Sequence, residues 1–365
     1  MLLWEGKKPI VLLLGEVILA QAEWNDLGAL AELRQVNEGT RDRFLIDCKA
    51  GVYDGVVAIS RTYDSTQMTG RFDQELIDVL PSSLRFVSHN GAGYDSIDAS
   101  ACATRGISVS NTPGAVDAST ADTTLFLIIG ALRRIHIPTT ALRAGKWRGG
   151  MCLTHEPEGK TLGILGMGGI GTAVARRAVP FGMRIQYHNR SRVPGSQNPV
   201  GAKYVSFEEL LRTSDIISVH LPLNASTRGM ISRDQFATMK DGVVLINTAR
   251  GPIVNEDALV EALESGKVWG AGLDVHEHEP KIHPELIENE NCVLLPHVGT
   301  GTLETQRKME VLVCENIKSA LEQGHLKTPV METRKMPTAK GVRYNDKMGL
   351  RNGVGRHDGH LQGGM

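Results

Sequence analysis

The sequence predicts a two-domain α/β protein with parallel sheets, and three observations carry that expectation. The chain has 365 residues, more than a single hydrophobic core usually serves. Short apolar runs alternate along it with segments of helical periodicity. Near mid-chain, the apolar run Thr161 to Leu165 feeds glycines at 166, 168 and 171; a helical pattern (Ala173, Val174, Ala178, Val179) and a second apolar run, Met183 to Tyr187, follow. Strand, glycine turn, helix and strand in that order mark the start of a doubly wound sheet. A whole domain's worth of sequence precedes this point.

The first third alternates strand and helix. Pro9 to Leu14 is a buried-strand run, and Ile18 to Val36 has helical periodicity. Gly55 to Ser60 reads as a strand and Phe72 to Leu80 as a short helix ended by Pro81. Leu84 to Ser88 is a strand running into the turn Asn90-Gly-Ala-Gly93, and Ile107 to Ser110 another, reaching Asn111-Thr-Pro-Gly114. This implies a small flavodoxin-like parallel sheet. A long helix, about Ser119 to Arg134, leads into the second unit. Strands are expected there at 162–165, 184–187, 216–220, 243–247, 270–275 and 293–296. Ser206 with Glu209 and Ser232 with Gln235 form capping boxes, and Asn255 is a third N-cap. Glu304 to Gln323 is amphipathic (Met309, Leu312, Val313, Ile317 and Leu321 on one stripe), stops at Gly324, and is expected to return to the first domain. The expected division is 1–113 with 301–330 for a discontinuous substrate domain and 114–300 for a Rossmann domain. Residues 331–365, basic, glycine-rich and nearly free of apolar side chains, read as a disordered tail.

Composition narrows the class. Apolar content of 41% and charge of 22% are ordinary for a globular protein, and a net charge of −1 argues against nucleic acid or an anionic membrane as partner. Cys48, Cys102, Cys152, Cys292 and Cys314 form no C-x-x-C pair, and their odd, scattered set suggests reduced thiols and a cytoplasmic location. The first residues do not read as a signal peptide, since Glu5, Lys7 and Lys8 separate two short apolar runs. No segment approaches the ~18 apolar residues that a membrane span needs.

The glycine turn implies a dinucleotide site. Gly166 permits the tight turn, Gly168 lets the backbone approach a pyrophosphate, and Gly171 lets helix and strand pack closely. Three ionisable groups follow strand ends of the same sheet: Arg250 after Leu245-Ile-Asn-Thr-Ala, Glu279 after Leu273-Asp-Val-His-Glu-His, and His297 after Val293-Leu-Leu-Pro. Each alone could be a strand cap, a solvated carboxylate or a surface imidazole. Together they match the needs of hydride chemistry on a 2-oxo acid. A guanidinium holds the carboxylate, an imidazole delivers a proton to the carbonyl oxygen, and a carboxylate fixes that imidazole's tautomer. Histidines 276, 278 and 283 superficially suggest a metal site. Residues i and i+2 beside a strand end point to opposite faces, so no metal is expected. Asp117, Ser119 and Asp122 are read as N-capping and first-turn residues of the long helix rather than a nucleophile site.

At this point the chain resembles the D-isomer-specific 2-hydroxyacid dehydrogenases, from about Pro9 to Pro329. The resemblance is carried by Asn90-Gly-Ala-Gly-Tyr-Asp95, Gly166-Met-Gly-Gly-Ile-Gly171, Asn247-Thr-Ala-Arg-Gly251, Gly272-Leu-Asp-Val-His-Glu-His-Glu-Pro280 and Pro296-His-Val-Gly299. It implies that Arg250 binds substrate carboxylate and carbonyl, that Glu279 pairs with His297, the general acid in reduction, and that Asn90, Gly91, Ala92 and Gly93 contact the carboxylate. Gly169 and Ile170 would lie against the pyrophosphate and Asp274 near the nicotinamide carboxamide. Leu221, Pro222, Thr248, Ala249 and Gly299 complete the implied cofactor contacts. Formate dehydrogenases carry glutamine where this chain has Glu279.

Cofactor choice is read from the second strand's end. The acid expected ~20 residues past the glycines, which would bind the ribose 2′-hydroxyl of NAD, is absent. Asn189, Arg190, Ser191 and Arg192 stand there instead and offer donors and positive charge, so NADP(H) is preferred with NAD(H) possible. The substrate expected is a glyoxylate- or hydroxypyruvate-type 2-oxo acid. The wording of two motifs is also similar to fungal D-mandelate dehydrogenases, which leaves bulky aromatic or branched acids open. A resemblance to C-terminal-binding co-repressors leaves dinucleotide binding without turnover as a third possibility. Tyr63, His89 and Tyr94 are candidate pocket walls. A homodimer is expected from the family and from the apolar run Leu125 to Ile129.

Overall fold

The computed structural model describes residues 8–148, 150, 152–195, 198 and 200–338. Two wholly parallel sheets form the protein. The first holds β1 (Ile10–Leu14), β2 (Glu32–Val36), β3 (Val56–Arg61), β4 (Phe86–His89) and β5 (Ser108–Ser110) in the order β2-β1-β3-β4-β5. The second holds β6 (Thr161–Leu165), β7 (Arg184–His188), β8 (Lys203–Tyr204), β9 (Ile216–Val219), β10 (Val243–Asn247), β11 (Val268–Leu273) and β12 (Cys292–Leu294), ordered β12-β11-β10-β9-β6-β7-β8. The first order is that of a flavodoxin-like sheet and the second that of a doubly wound Rossmann sheet, whose strand order reverses between β6 and β9. Ligands bind such sheets in the crevice outside the carboxyl ends of the strands beside that reversal.

Burial on both faces explains why the central strands read as unbroken apolar runs. Every residue of β3, β9 and β10 is buried. The helix Leu303–Gln323 returns to the first sheet, where Val313, Cys314, Ile317 and Leu321 pack with Val11, Leu13 and Phe86. Its buried Glu310 carboxylate accepts from the backbone N–H groups of Ile18, Leu19 and Ala20, tying this late helix to the start of the chain.

The expectations need correction at several points. Ile18 to Val36 is not one helix: Gln21–Asp26 is helical, a 3-10 turn covers Leu27–Ala29, and Glu32–Val36 is the edge strand β2. An edge strand is half solvated, so its polar residues broke the apolar run that marks the others. The helix Arg41–Lys49, capped by Thr40, went unread. The tail reading fails at residues 331–338. Thr333 is buried there, and its hydroxyl donates to the Val109 carbonyl and accepts from the Val109 N–H. The open edge of β5 holds this segment by hydrogen bonds, which composition cannot reveal. Residues 339–365 lie outside the described residues.

Of the helix starts, Ser232 and Gln235 form a full capping box and Asn255 accepts from the Ala258 N–H. Ser206 accepts from the Glu209 N–H, but the Glu209 carboxylate turns to Lys203. No side chain caps the helix Asp117–Arg133. Asp117 is its first-turn acid, Ser119 donates to the Gly299 carbonyl, and Asp122 pairs with Arg177.

Candidate active site

The glycine turn at the end of β6 leads into the helix Gly169–Ala178. Gly166 adopts φ +104°, and a Cβ there would press on the His220 carbonyl at 2.6 Å. Side chains at 169 or 171 would collide with the Asp117 carboxylate and the Gly166 carbonyl respectively. At Gly168, by contrast, an added Cβ meets nothing within 4 Å. Gly166 and Gly171 are therefore demanded by backbone packing, Gly169 sits under the Asp117 carboxylate, and Gly168 leaves its backbone open at a helix N-terminus. That is the geometry a pyrophosphate requires. The residues present fit a dinucleotide, with Gly168, Gly169, Ile170 and Gly171 placed to hold its phosphates.

The three ionisable groups stand on loops following β10, β11 and β12. His297 has φ +57°, a conformation uncommon for side chains larger than glycine, and its surroundings enforce it. Its N–H donates to the Asp274 carbonyl at 2.7 Å. The N–H groups of Val298 and Gly299 donate to the two Asp274 carboxylate oxygens, each at 2.8 Å. Asp274 is thus buried under the loop, with its carboxyl raised by burial against the pull of those two donors. The geometry shows it gripping the His297 turn; contact with a carboxamide was the expectation from resemblance.

His297 Nδ1 lies 2.9 Å from Glu279 Oε2, which leaves Nε2 as the atom able to present a proton. Glu279 is fixed in turn: its Oε1 accepts from the His276 N–H at 3.0 Å and its Oε2 from the Tyr63 hydroxyl at 3.3 Å. Burial pushes the Glu279 carboxyl upward, but the His297 hydrogen bond and charge, with these other donors, hold it below the ordinary carboxylate range. It therefore stays ionised beside the imidazole and fixes the orientation of the ring.

Arg250 is held by two contacts. Nε donates to Asp95 Oδ1 at 2.8 Å and Nη1 to the Ala249 carbonyl at 2.7 Å. Nη2 lies over Gly93, where any Cβ would collide with it. The guanidinium thus faces the Gly91–Gly93 turn at the end of β4, on the other sheet. Gly251 has its Cα against the His276 backbone, so the Arg250 and Glu279 loops touch through a glycine. Tyr63 completes the convergence. Its ring packs edge-on against His297 with centroids 5.4 Å apart, and its hydroxyl is raised by burial and by the Glu279 charge while Arg250 opposes.

Asp95 is the functional residue that sequence reasoning missed. It stood inside the quoted Asn90 to Asp95 motif, and an acid two residues past the Gly91–Gly93 turn was the available signal. Of the candidate walls, only Tyr63 reaches the site. Tyr94 instead turns its hydroxyl to Glu332, and His89 is buried behind the turn. Asn90 donates its N–H to the Arg61 carbonyl, while its side-chain oxygen meets no partner among the described residues. Thr248 is buried, its hydroxyl 2.9 Å from that of Thr124, and the Ala249 N–H donates to Asn247 Oδ1. Leu221 is half-buried and Pro222 exposed on the loop after β9. His276 and His283 are spent on the Leu295 carbonyl and the Asp257 carboxylate.

The turn at 189–192 has a division of labour not visible beforehand. Asn189 Oδ1 accepts from the Met167 N–H at 2.7 Å, anchoring the glycine turn and leaving only its amide nitrogen for a ligand. Arg190, Ser191 and Arg192 are exposed, and the Arg192 guanidinium lies 5.0 Å from the Tyr204 ring centre.

Residues 125–299 match the model of the D-isomer specific 2-hydroxyacid dehydrogenase, NAD binding domain. The chain is 52% identical over 326 residues to 4-methyl-2-oxopentanoate reductase A of Aspergillus oryzae, covering 89% of this chain and 99% of that protein. The chain belongs to the D-isomer-specific 2-hydroxyacid dehydrogenases. It is an oxidoreductase of that family and binds a nicotinamide dinucleotide. A solved glyoxylate reductase from Paecilomyes thermophila superposes with a TM-score of 0.88 at 54% identity, covering 90% of this chain and 99% of that one. An NADPH-dependent glyoxylate/hydroxypyruvate reductase from Sinorhizobium meliloti, in complex with NADP and malonate, gives 0.78 at 33%, covering 90% and 98%.

Proposed function

We propose that this dehydrogenase reduces a small 2-oxo acid of the glyoxylate or hydroxypyruvate type to the D-2-hydroxy acid, and runs the reverse oxidation, with NADP(H) preferred over NAD(H). The observation that carries the reading is the His297–Glu279 pair set beside Tyr63, with Arg250 turned onto the Gly91–Gly93 turn. Arg250 and that turn would hold the carboxylate. His297 Nε2 would protonate the carbonyl oxygen, and Glu279 would keep the imidazole aligned. The dinucleotide, when bound, supplies or accepts the hydride. The exposed arginines at 190 and 192, the absence of an acid at the end of β7 and the NADP-bound relative support the phosphorylated cofactor. The name of the Aspergillus relative favours a second reading, a branched 2-oxo acid.

Nicotinamide oxidation with glyoxylate, hydroxypyruvate, 4-methyl-2-oxopentanoate and benzoylformate, each with NADPH and NADH, tests all of this. Turnover of the two small acids with NADPH is expected. Higher kcat/KM for the bulky acids would replace the substrate, and no turnover with any acid would leave a dinucleotide-binding protein.

We also propose a homodimer and the division into 1–113 with 301–330 and 114–300. The run Leu125 to Ile129 is mostly internal core, with only Phe126 exposed. Support for a dimer comes rather from Phe126, Ile135, Leu142, Trp147 and Leu153, large apolar side chains exposed within one stretch of chain. Sedimentation as a monomer would overturn it. The five cysteines are all unpaired, which supports a reducing, cytoplasmic location; recovery of the protein in an oxidising compartment would count against it.

A further inference from the structure

Arg61 ends β3 and His89 ends β4, and the two are register partners in adjacent parallel strands. Their side chains therefore stand side by side beneath the Gly91–Gly93 turn. Arg61 is fully buried, yet no carboxylate bonds to it among the described residues. Its Nη1 lies 3.1 Å from His89 Nδ1, its Nη2 donates to Thr66 Oγ1 at 2.8 Å, and the Phe72 ring centre is 5.2 Å from Cζ. Nε has no partner. The carboxylate whose charge it feels is that of Asp95, already engaged by Arg250.

A guanidinium has only donors, so His89 Nδ1 must accept and the ring proton must sit on Nε2. Nε2 lies 3.1 Å from the Gly93 carbonyl, which completes a relay from Arg61 through His89 to the turn. Burial and the Arg61 charge push the imidazole down to about 3, so the ring stays neutral and the relay intact at any working pH. Gly91 is part of the device, because a Cβ there would meet Nε2 at 2.6 Å.

A buried cation without a counter-ion is costly unless something answers it. We propose that Arg61 and His89 are positioning residues for the anionic substrate. Arg61 fixes the tautomer of His89, His89 holds the Gly93 carbonyl, and the turn then presents its backbone to the carboxylate with the Arg61 charge one layer behind. This rests on reading the Gly91–Gly93 turn as the carboxylate cradle.

Steady-state kinetics with glyoxylate and NADPH test it, with dinucleotide affinity followed by fluorescence and folding by thermal melting. His89→Leu and Arg61→Met should raise the glyoxylate KM about tenfold, the effect of losing one hydrogen bond to the turn. Dinucleotide affinity should stay unchanged and kcat within about twofold. His89→Gln should recover most of the loss, since one amide can both accept from Arg61 and donate to Gly93. Should Arg61→Met not fold, the His89 pair decides alone. An unchanged KM in His89→Leu, or His89→Gln as impaired as His89→Leu, would overturn the relay. Gly93→Ala strikes the carboxylate site itself, turn and Arg250 together, because its Cβ would also displace Arg250 Nη2. If it raises KM while His89→Leu does not, only the relay falls; if it leaves KM unchanged, the cradle reading falls and takes the relay with it.

Discussion

Removing Asp95 should disable substrate recognition without touching the dinucleotide. Asp95 belongs to the first sheet's turn region and Arg250 to the second sheet, so their contact aligns a guanidinium across the crevice. The Nε···Oδ1 distance of 2.8 Å lies in the range of charge-assisted bonds. Such a bond contributes roughly 1.5–3 kcal/mol. The two side chains keep 24% and 29% of their exposure, so solvent screening places this one at or below the lower end. About 1.4 kcal/mol corresponds to tenfold in rate. In Asp95→Ala, Arg250 keeps only its Nη1 bond to the Ala249 carbonyl, about which the fork can swing. We therefore expect kcat/KM for the 2-oxo acid to fall about tenfold, mostly through KM. Asp95→Asn should fall between, because an amide oxygen still accepts from Nε without the charge. The assay is NADPH consumption at varied 2-oxo acid, beside a dinucleotide titration. Native kinetics in Asp95→Ala would show that Arg250 needs no partner, and an equal loss of dinucleotide affinity would show that Asp95 serves the fold.

Three further substitutions probe the other parts of the site. His297→Ala should lower kcat by about 10²–10⁴ with dinucleotide affinity intact, since it removes proton donation in the transition state; retained turnover would end the general-acid assignment. Asn189→Asp keeps the oxygen that accepts from Met167 and replaces the amide donor with a charge. The NADPH KM should rise and the NADH KM stay level, and an unchanged NADPH KM would remove Asn189 from cofactor choice. Glu279 has a folded-state carboxyl below its ordinary value, so it stabilises the native state above the usual carboxylate range and loses that effect as pH falls through the depressed value. The difference in Tm between the native protein and Glu279→Gln should therefore shrink on acidification below about pH 4. A difference constant across that range would mean that the His297 pair adds nothing to stability.

Elements whose role is burial could be read from the sequence. The central strands β3, β9 and β10 lie inside on both faces, so apolar runs announced them. The glycine turn was read from Gly166, Gly168 and Gly171; backbone carbonyls press on the first and last, and the open space at Gly168 answers to a ligand instead. Edge strand β2 and the segment around Thr333 escaped for the opposite reason. β2 is held by ladder bonds to β1 and the Thr333 segment by one hydroxyl on the Val109 backbone; neither a backbone bond nor a single threonine marks the composition of its stretch.

The same distinction runs through the site. Arg250, Glu279 and His297 were legible because each follows a strand end and its side-chain type suits one task in the chemistry. Asp95 and Tyr63 meet their partners on loops of the other sheet, and Arg61 meets His89 only because β3 and β4 pair in register. No local spacing encodes either juxtaposition. His297 shows how the two kinds of residue combine. Its imidazole is the proposed proton donor, but its φ of +57° is held by Asp274, 23 positions earlier, through three backbone N–H contacts. A positive φ disfavours β-branched and bulky residues, so that turn restricts what can stand at 297 before any chemistry is considered. Asp274 was expected at the cofactor; its hydrogen bonds give it a prior duty, holding the backbone of the proposed proton donor where a relaxed loop would not leave it.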